Sequence, residues 1–208
     1  MADGPGLKRP GLRQVGNNLA IDLVNTRVAL DSPSGSLRNA DNVLAFLLEN
    51  SALARSQAIA ARKGLRDAGA RRRFLQETIA LRNAIAGILE KIAAARQAAR
   101  TDVAVVNAVL KSDSGYEELR RSDGARYALT FHRSHAGVMQ GLAPIARAAA
   151  ELLAEGRPPV RKCANAECIR WFYDTSRTKR RRWCEMAICG NRAKVSAFQR
   201  RQRPARRS

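Results

Sequence analysis

Aromatic side chains are scarce in this chain, at 5% of its 208 residues, and it has only 2 histidines. So few rings rule out an aromatic-dominated core, and so few histidines leave little general-base chemistry to draw on. β-Branched residues are sparse, which argues against an all-β fold. Its apolar runs fall far short of the roughly 20 residues that span a bilayer. The opening MADGPGLKRPG lacks the apolar stretch of a signal peptide, so a cytoplasmic protein without a membrane partner is the default expectation. No phosphate-cradling glycine loop, nucleophile elbow or paired-carboxylate pattern is present, and no enzyme activity is expected.

What the chain does have is alanine, leucine and positive charge. Apolar residues make up 45%, and alanine and leucine dominate them, so helices are expected. The formal charge is +20, from 38 Lys/Arg against 18 Asp/Glu. That charge is uneven: residues 157–208 hold 16 of the basic groups and only Glu167, Asp174 and Glu185 on the acidic side. A polyanionic partner is the natural consequence, and nucleic acid is the commonest one.

Along the chain, residues 1–15 read as a flexible tail. In 16–30, Leu19, Ile21 and Leu23 alternate like a strand, whereas Leu19, Leu23 and Val24 share a helix face; the helix is preferred. DSPSGS at 31–36 marks a loop. Asp41 is placed to cap a helix bearing Leu44, Leu47 and Leu48, and Ala-rich helix continues to about Arg62, with Gly64 as an interruption. The clearest long helix runs from about Ala70 to Ala99, with Phe74, Leu81, Ile85, Ile88 and Ile92 on one stripe widened by Leu75, Ile79 and Leu89. That breadth favours packing within the chain over a coiled-coil dimer. Thr101 and Asp102 open a further helix, and 116–131 reads as a hairpin turning at Asp123-Gly124. Pro144 suits the first turn of a helix that Gly156 stops, and GRPP at 156–159 marks a boundary between domains 16–156 and 157–208.

All four cysteines fall in one window: Cys163, Cys168, Cys184 and Cys189, in the pattern C-x4-C-x15-C-x4-C. Two equally spaced pairs around a loop have the form of a four-thiolate zinc site, although x4 is wider than the usual x2. A segment this short cannot build an adequate core alone, and bound metal supplies the missing folding free energy. Trp171, Phe172, Trp183 and Phe198 would form a mini-core beside the metal. Disulfides would need an oxidising compartment, and a catalytic thiol would need a base nearby; an iron–sulfur cluster shares the ligand type. The expected fold is therefore mainly α: a helical N-terminal domain with a small β-hairpin, then a small four-cysteine zinc-binding module ending in a helix.

These residues resemble a known pairing of domains. Phe172, Asp174, Ser176, Arg177, the RRWC of 181–184, Met186, the CGNR of 189–192 and Lys194 match the CGNR-type zinc finger. LAIDLVNT at 19–26 and APIARAAAELL at 143–153 are similar to the ABATE domain that precedes that finger. Thr178 departs from the pattern, which usually has Asn after Ser-Arg. The resemblance implies a bacterial, stress-related transcription regulator that binds DNA through the finger, with Zn²⁺ as its cofactor.

The cations of the finger divide into two expected groups. Arg182 and Arg192 could offset the charge of a metal–thiolate centre, with Gly190 permitting a backbone turn towards sulfur and Asn191 capping the last helix. One metal site cannot use them all, so Arg177, Lys179, Arg180, Arg181, Arg192, Lys194, Arg200 and Arg201 are candidate phosphate contacts, with Arg203, Arg206 and Arg207 extending the basic tail. Duplex DNA is favoured over RNA because the tryptophans and Phe172 look committed to the mini-core, and a nucleoid-associated location follows. Asp22, Asn25 and Thr26 form a polar set in an apolar stretch, weakly suggesting a ligand site. A second copy of the chain and a small-molecule effector complete the partners considered. His132-x-x-His135 would share a face only on a helix, and without a carboxylate companion it is a weak metal motif.

Overall fold

A computed structural model of the chain describes residues 16–27, 37–121, 127–133 and 138–202. The expected tail at 1–15, the loop at 31–36, the Asp123-Gly124 turn, His135 and Arg203, Arg206 and Arg207 lie outside the described residues.

The architecture is mostly helical, as expected. Helix α1 (Leu19–Asn25) starts at Asn18, whose side chain accepts from the Ala20 and Ile21 N–H groups. Residues Ala20 to Asn25 are all buried, which is why periodicity could not separate helix from strand here. Helix α2 (Ala40–Glu49) is capped by Asn39 and not by Asp41; Asn39 accepts from the Asn42 N–H at 2.9 Å. Asp41 lies in the first turn, beside the positive end of the helix, and pairs with Arg71. Helix α3 (Arg55–Gly64) follows, its Gln57 side chain accepting from the Ala54 N–H.

Helix α4 (Ala68–Ala93) is the spine. Phe74, Leu81, Ile85, Ile88 and Leu89 are all fully buried, and Leu75 and Ile92 pack against them. Helices α1, α2, α5 (Arg100–Lys111) and α6 (Ala143–Ala154) surround this stripe, so its width is used inside one molecule. The helix ends six residues earlier than its alanine content suggests. Ala95 takes a left-handed φ of 52°, the position glycine usually fills, and the Arg96 N–H returns to the Lys91 carbonyl. Nothing in an alanine run announces that stop. Pro144 sits in the first turn of α6, and Gly156 follows the helix with a φ of 79°.

Strands β1 (Gly115–Arg121) and β2 (Tyr127–Arg133) form the expected hairpin, antiparallel with Leu119 opposite Leu129. His132 therefore lies on a strand, where the helical spacing that could pair it with His135 does not apply.

A second, unexpected sheet joins β3 (Val160–Lys162) to β4 (Trp171–Tyr173). Three-residue strands carry too few positions for alternation to be read. This sheet docks on the helical domain. Trp171 and Val160 enter the main core with α1 and α4, and the Tyr173 N–H bonds the Gly16 carbonyl at 2.8 Å. The described residues close with a π-helical turn (Met186–Gly190) and helix α7 (Asn191–Gln202). No helix among the described residues is long and apolar enough to cross a membrane.

Candidate metal centre

The four cysteines converge although 26 positions separate the first from the last. Cys163 follows β3, Cys168 closes the next turn, Cys184 follows the basic loop, and Cys189 lies in the π-helical turn. Their sulfurs all lie within 4.8 Å of one another. Cys168 Sγ is 3.7 Å from Cys184 Sγ, which is 3.7 Å from Cys189 Sγ. A tetrahedron of zinc–sulfur bonds near 2.3 Å has edges of about 3.8 Å, so the donor set fits Zn²⁺. The same distances are far beyond a disulfide bond of about 2.05 Å.

Electrostatics make the same point. Burial, together with the charges of Cys168 and Cys163, pushes the Cys184 thiol well above its ordinary range. Burial pushes Cys168 up to about 11. For Cys163, burial is outweighed by N–H groups of Cys184 and Asn165 that donate to its sulfur, and its thiol is lowered. Burial and mutual repulsion oppose the thiolate form of Cys168 and Cys184, and a bound dication reverses that balance. Backbone amides donate to the sulfurs of Cys163 and Cys168, and neither Arg182 nor Arg192 bonds a sulfur among the described residues.

Around the sulfurs, Phe172 is fully buried, with Trp183 and Ile188 packed beside it. The expected four-ring mini-core is smaller than the sequence suggested. Trp171 belongs to the helical domain's core, and Phe198 is 57% exposed on α7. Gly190 is close-packed and not in a left-handed turn: a Cβ there would come within 2.3 Å of the Met186 sulfur. Asn191 has helical dihedrals and donates to the Ala187 carbonyl, so it belongs to the helix and does not cap it.

Asp174 organises the basic loop. It is fully buried and accepts from the Ser176 N–H (3.0 Å), the Ser176 hydroxyl (2.5 Å) and the Arg181 N–H (2.9 Å). Burial works against its charge, but these bonds and the Arg161 guanidinium outweigh it and hold the carboxyl below its ordinary range. Lys179 donates to the Asp174 carbonyl at 2.9 Å, and the Lys179 carbonyl accepts from Arg161.

Arg181 departs most from the sequence reading. Its Nε donates to the Trp183 carbonyl at 2.8 Å, another nitrogen bonds the Cys184 carbonyl, and the guanidinium stacks over Phe172. It braces the metal loop from outside, a role the sequence reading did not give it. Arg182 stacks over the Trp183 ring. By contrast Arg177, Arg180, Arg192, Lys194 and Arg201 are exposed and engage no partner among the described residues. Arg200 lies on α7.

The polar set on α1 has protein partners. Asn25 donates to the Trp171 carbonyl (2.9 Å) and accepts from the Trp171 N–H (2.8 Å), locking the finger's strand to the helical domain. Thr26 donates to the Leu23 carbonyl and accepts from Arg82. Asp22 accepts from the Gly16 N–H, and burial raises its carboxyl to about 6 despite that bond. Sequence reasoning flagged these residues as needing partners, but nothing in sequence pointed to Trp171.

Fold and site together define a four-cysteine zinc finger clasped to a helical domain. Over residues 160–202 the chain matches the CGNR zinc finger, and over 17–156 the ABATE family, described as "Putative stress-induced transcription regulator". The chain belongs to the ABATE family and carries the CGNR finger after that domain. Neither is an enzyme family. Among curated proteins none matches the chain.

Proposed function

We propose that this protein is a non-enzymatic, cytoplasmic, nucleoid-associated bacterial transcription regulator that grips duplex DNA through its finger. The observation that carries the reading is the outer ring of Arg177, Arg180, Arg192, Lys194 and Arg201, exposed and without partners among the described residues on a chain of charge +20. Cations held by no protein group are ready to release counterions from a phosphate backbone. Arg200 joins them by its position on α7. Lys179 keeps one bond to the loop and supplies charge alongside.

Duplex DNA is preferred over RNA because Trp171 and Phe172 are buried and Trp183 is covered by Arg182, leaving few rings for base stacking. Phe198 is the exposed aromatic on this surface, so competition between duplex and structured RNA is a discriminating assay. Asp22, Asn25 and Thr26 are assigned to internal bonding and domain coupling in place of a ligand site. An effector bound elsewhere on the helical domain would reach the finger through Asn25.

The test is duplex binding by the zinc-loaded protein as salt rises. With six or more phosphate contacts, affinity should fall by about 10³ between 50 and 200 mM salt. Substituting Arg177, Arg180 and Arg192 together by Ala should weaken binding and flatten that slope at unchanged zinc content. Salt-independent binding, or binding unaffected by the triple substitution, refutes the assignment.

A further inference from the structure

The hairpin is an arm. Among the described residues its strands pair only with each other, and no helix packs broadly on them. A lone two-stranded hairpin is marginal in water. Residues opposite each other across an antiparallel pair share a face, so one face carries Gly115, Glu117, Leu119 and Arg121 from β1 and Arg133, Phe131, Leu129 and Tyr127 from β2. Leu119 is 63% exposed, Leu129 62%, Tyr127 64% and Phe131 37%; Glu117 and Arg121 are exposed too. Contiguous exposed apolar groups of this kind are uncommon on a monomer and mark contact sites.

The order of residues on that face selects the occupant. Consider a two-fold axis running across the strands through the Leu119–Leu129 pair. Rotation about it lays a second arm face to face on the first. Leu119 then meets its own copy, as does Leu129. Glu117 meets Arg121, and Phe131 meets Tyr127, each contact occurring twice. An isologous interface requires this self-complementarity: residue i meets j and j meets i. The molecule carries +20, so copies repel at long range, but on this face Glu117 of each copy meets Arg121 of the other, with Arg133 at a register position beyond those pairs. A nucleic acid would instead seek the cationic finger.

We propose that the apolar face of the β1–β2 arm is a homodimer interface in which two arms stack about a two-fold axis through Leu119 and Leu129. The inference is independent of nucleic-acid binding, since the dimer forms without DNA. Six side chains are far fewer than the roughly 20 to 30 per partner of a standard interface, so the dimer is weak, with a Kd on the order of 10 µM.

Sedimentation equilibrium of the full zinc-loaded chain tests it, without nucleic acid and up to about 100 µM, roughly ten times that Kd. The wild type should pass from monomer to dimer. Leu119→Lys and, separately, Leu129→Lys should each weaken dimerisation at least about ten-fold. Glu117→Arg and Arg121→Glu should each weaken it, and the combined exchange Glu117→Arg/Arg121→Glu should restore it. Unchanged zinc content and melting temperature show that the fold survives these surface changes. A wild type that stays monomeric throughout overturns the proposal. So does a dimer indifferent to Leu129→Lys, which would place the contact on the outer edge of β1, or a combined exchange that fails to restore association.

Discussion

The clasp between Asn25 and Trp171 can be broken with one substitution. Asn25→Ala removes a donor and an acceptor, and leaves the N–H and C=O of Trp171 without partners in a buried place. Each such group costs about 1–3 kcal/mol when orphaned, so the expected loss is about 2–6 kcal/mol. For a chain of this length, about 2–4 °C per kcal/mol places the drop in melting temperature at roughly 4–24 °C. Urea unfolding of the zinc-loaded protein, followed by far-ultraviolet dichroism, measures it. Asn25→Asp is the sharper comparison. It retains the acceptor for the Trp171 N–H but points a carboxylate oxygen at the Trp171 carbonyl, so it should rescue little. Zinc content should stay at one ion per chain in both variants, because no ligand is touched. A loss below about 0.5 kcal/mol for Asn25→Ala, the range of an ordinary surface change, would refute the claim that these bonds hold the two parts together.

Further expectations concern the finger and α1. Arg181→Ala should lower zinc retention under chelator challenge, because it removes bonds to the Trp183 and Cys184 carbonyls, whereas Arg180→Ala should leave retention unchanged and weaken only DNA binding. Phe172→Ala should destabilise the finger by about 3–5 kcal/mol, read as earlier release of zinc on denaturation. Asp22 titrates at about 6 in the folded chain against 3.8 as its ordinary value, so the folded state holds a proton that the unfolded state releases. Its contribution to stability is therefore greatest at low pH and is lost as pH rises from about 4 to about 6; Asp22→Asn, which keeps an acceptor for Gly16, should gain about 3 kcal/mol relative to wild type at pH 7.5 and little at pH 4. Comparing the two proteins in urea at both pH values cancels the acid sensitivity of the thiolates.

How much was legible in the sequence depends on how far each residue's partner lay. Helix α4 could be read because its buried positions repeat at helical spacing over 26 residues. The four cysteines could be read because metal ligands come in spaced pairs. Helix α1 was ambiguous because almost all of it is buried, which erases period. The β3–β4 sheet was invisible because its strands are three residues long and dock on α1 and α4, partners far away in sequence. Phe198 and Arg181 were misplaced for a shared reason. Composition favours burying a ring and exposing a cation, yet α7 leaves the finger's core, while Arg181 lies over Phe172 beside two carbonyls that need donors.

The cations of the finger thus fall into two shells with different duties, and the inner shell gives the outer one its direction. Arg161, Lys179, Arg181 and Arg182 bind carbonyls, a buried carboxylate or rings, and so fix the shape of the loop. Arg177 and Arg180 project from that fixed loop, and Arg192 and Lys194 from the start of the helix that follows Cys189. Asn25 then fixes the finger against the helical domain, which also carries the hairpin arm. Two copies joined through that arm would bring their basic loops into a two-fold relation. A two-fold pair of DNA-contacting surfaces reads two half-sites of inverted sequence at a fixed spacing. Both proposals together therefore demand a palindromic site, whereas monomeric binding through the same cations demands only a single half-site.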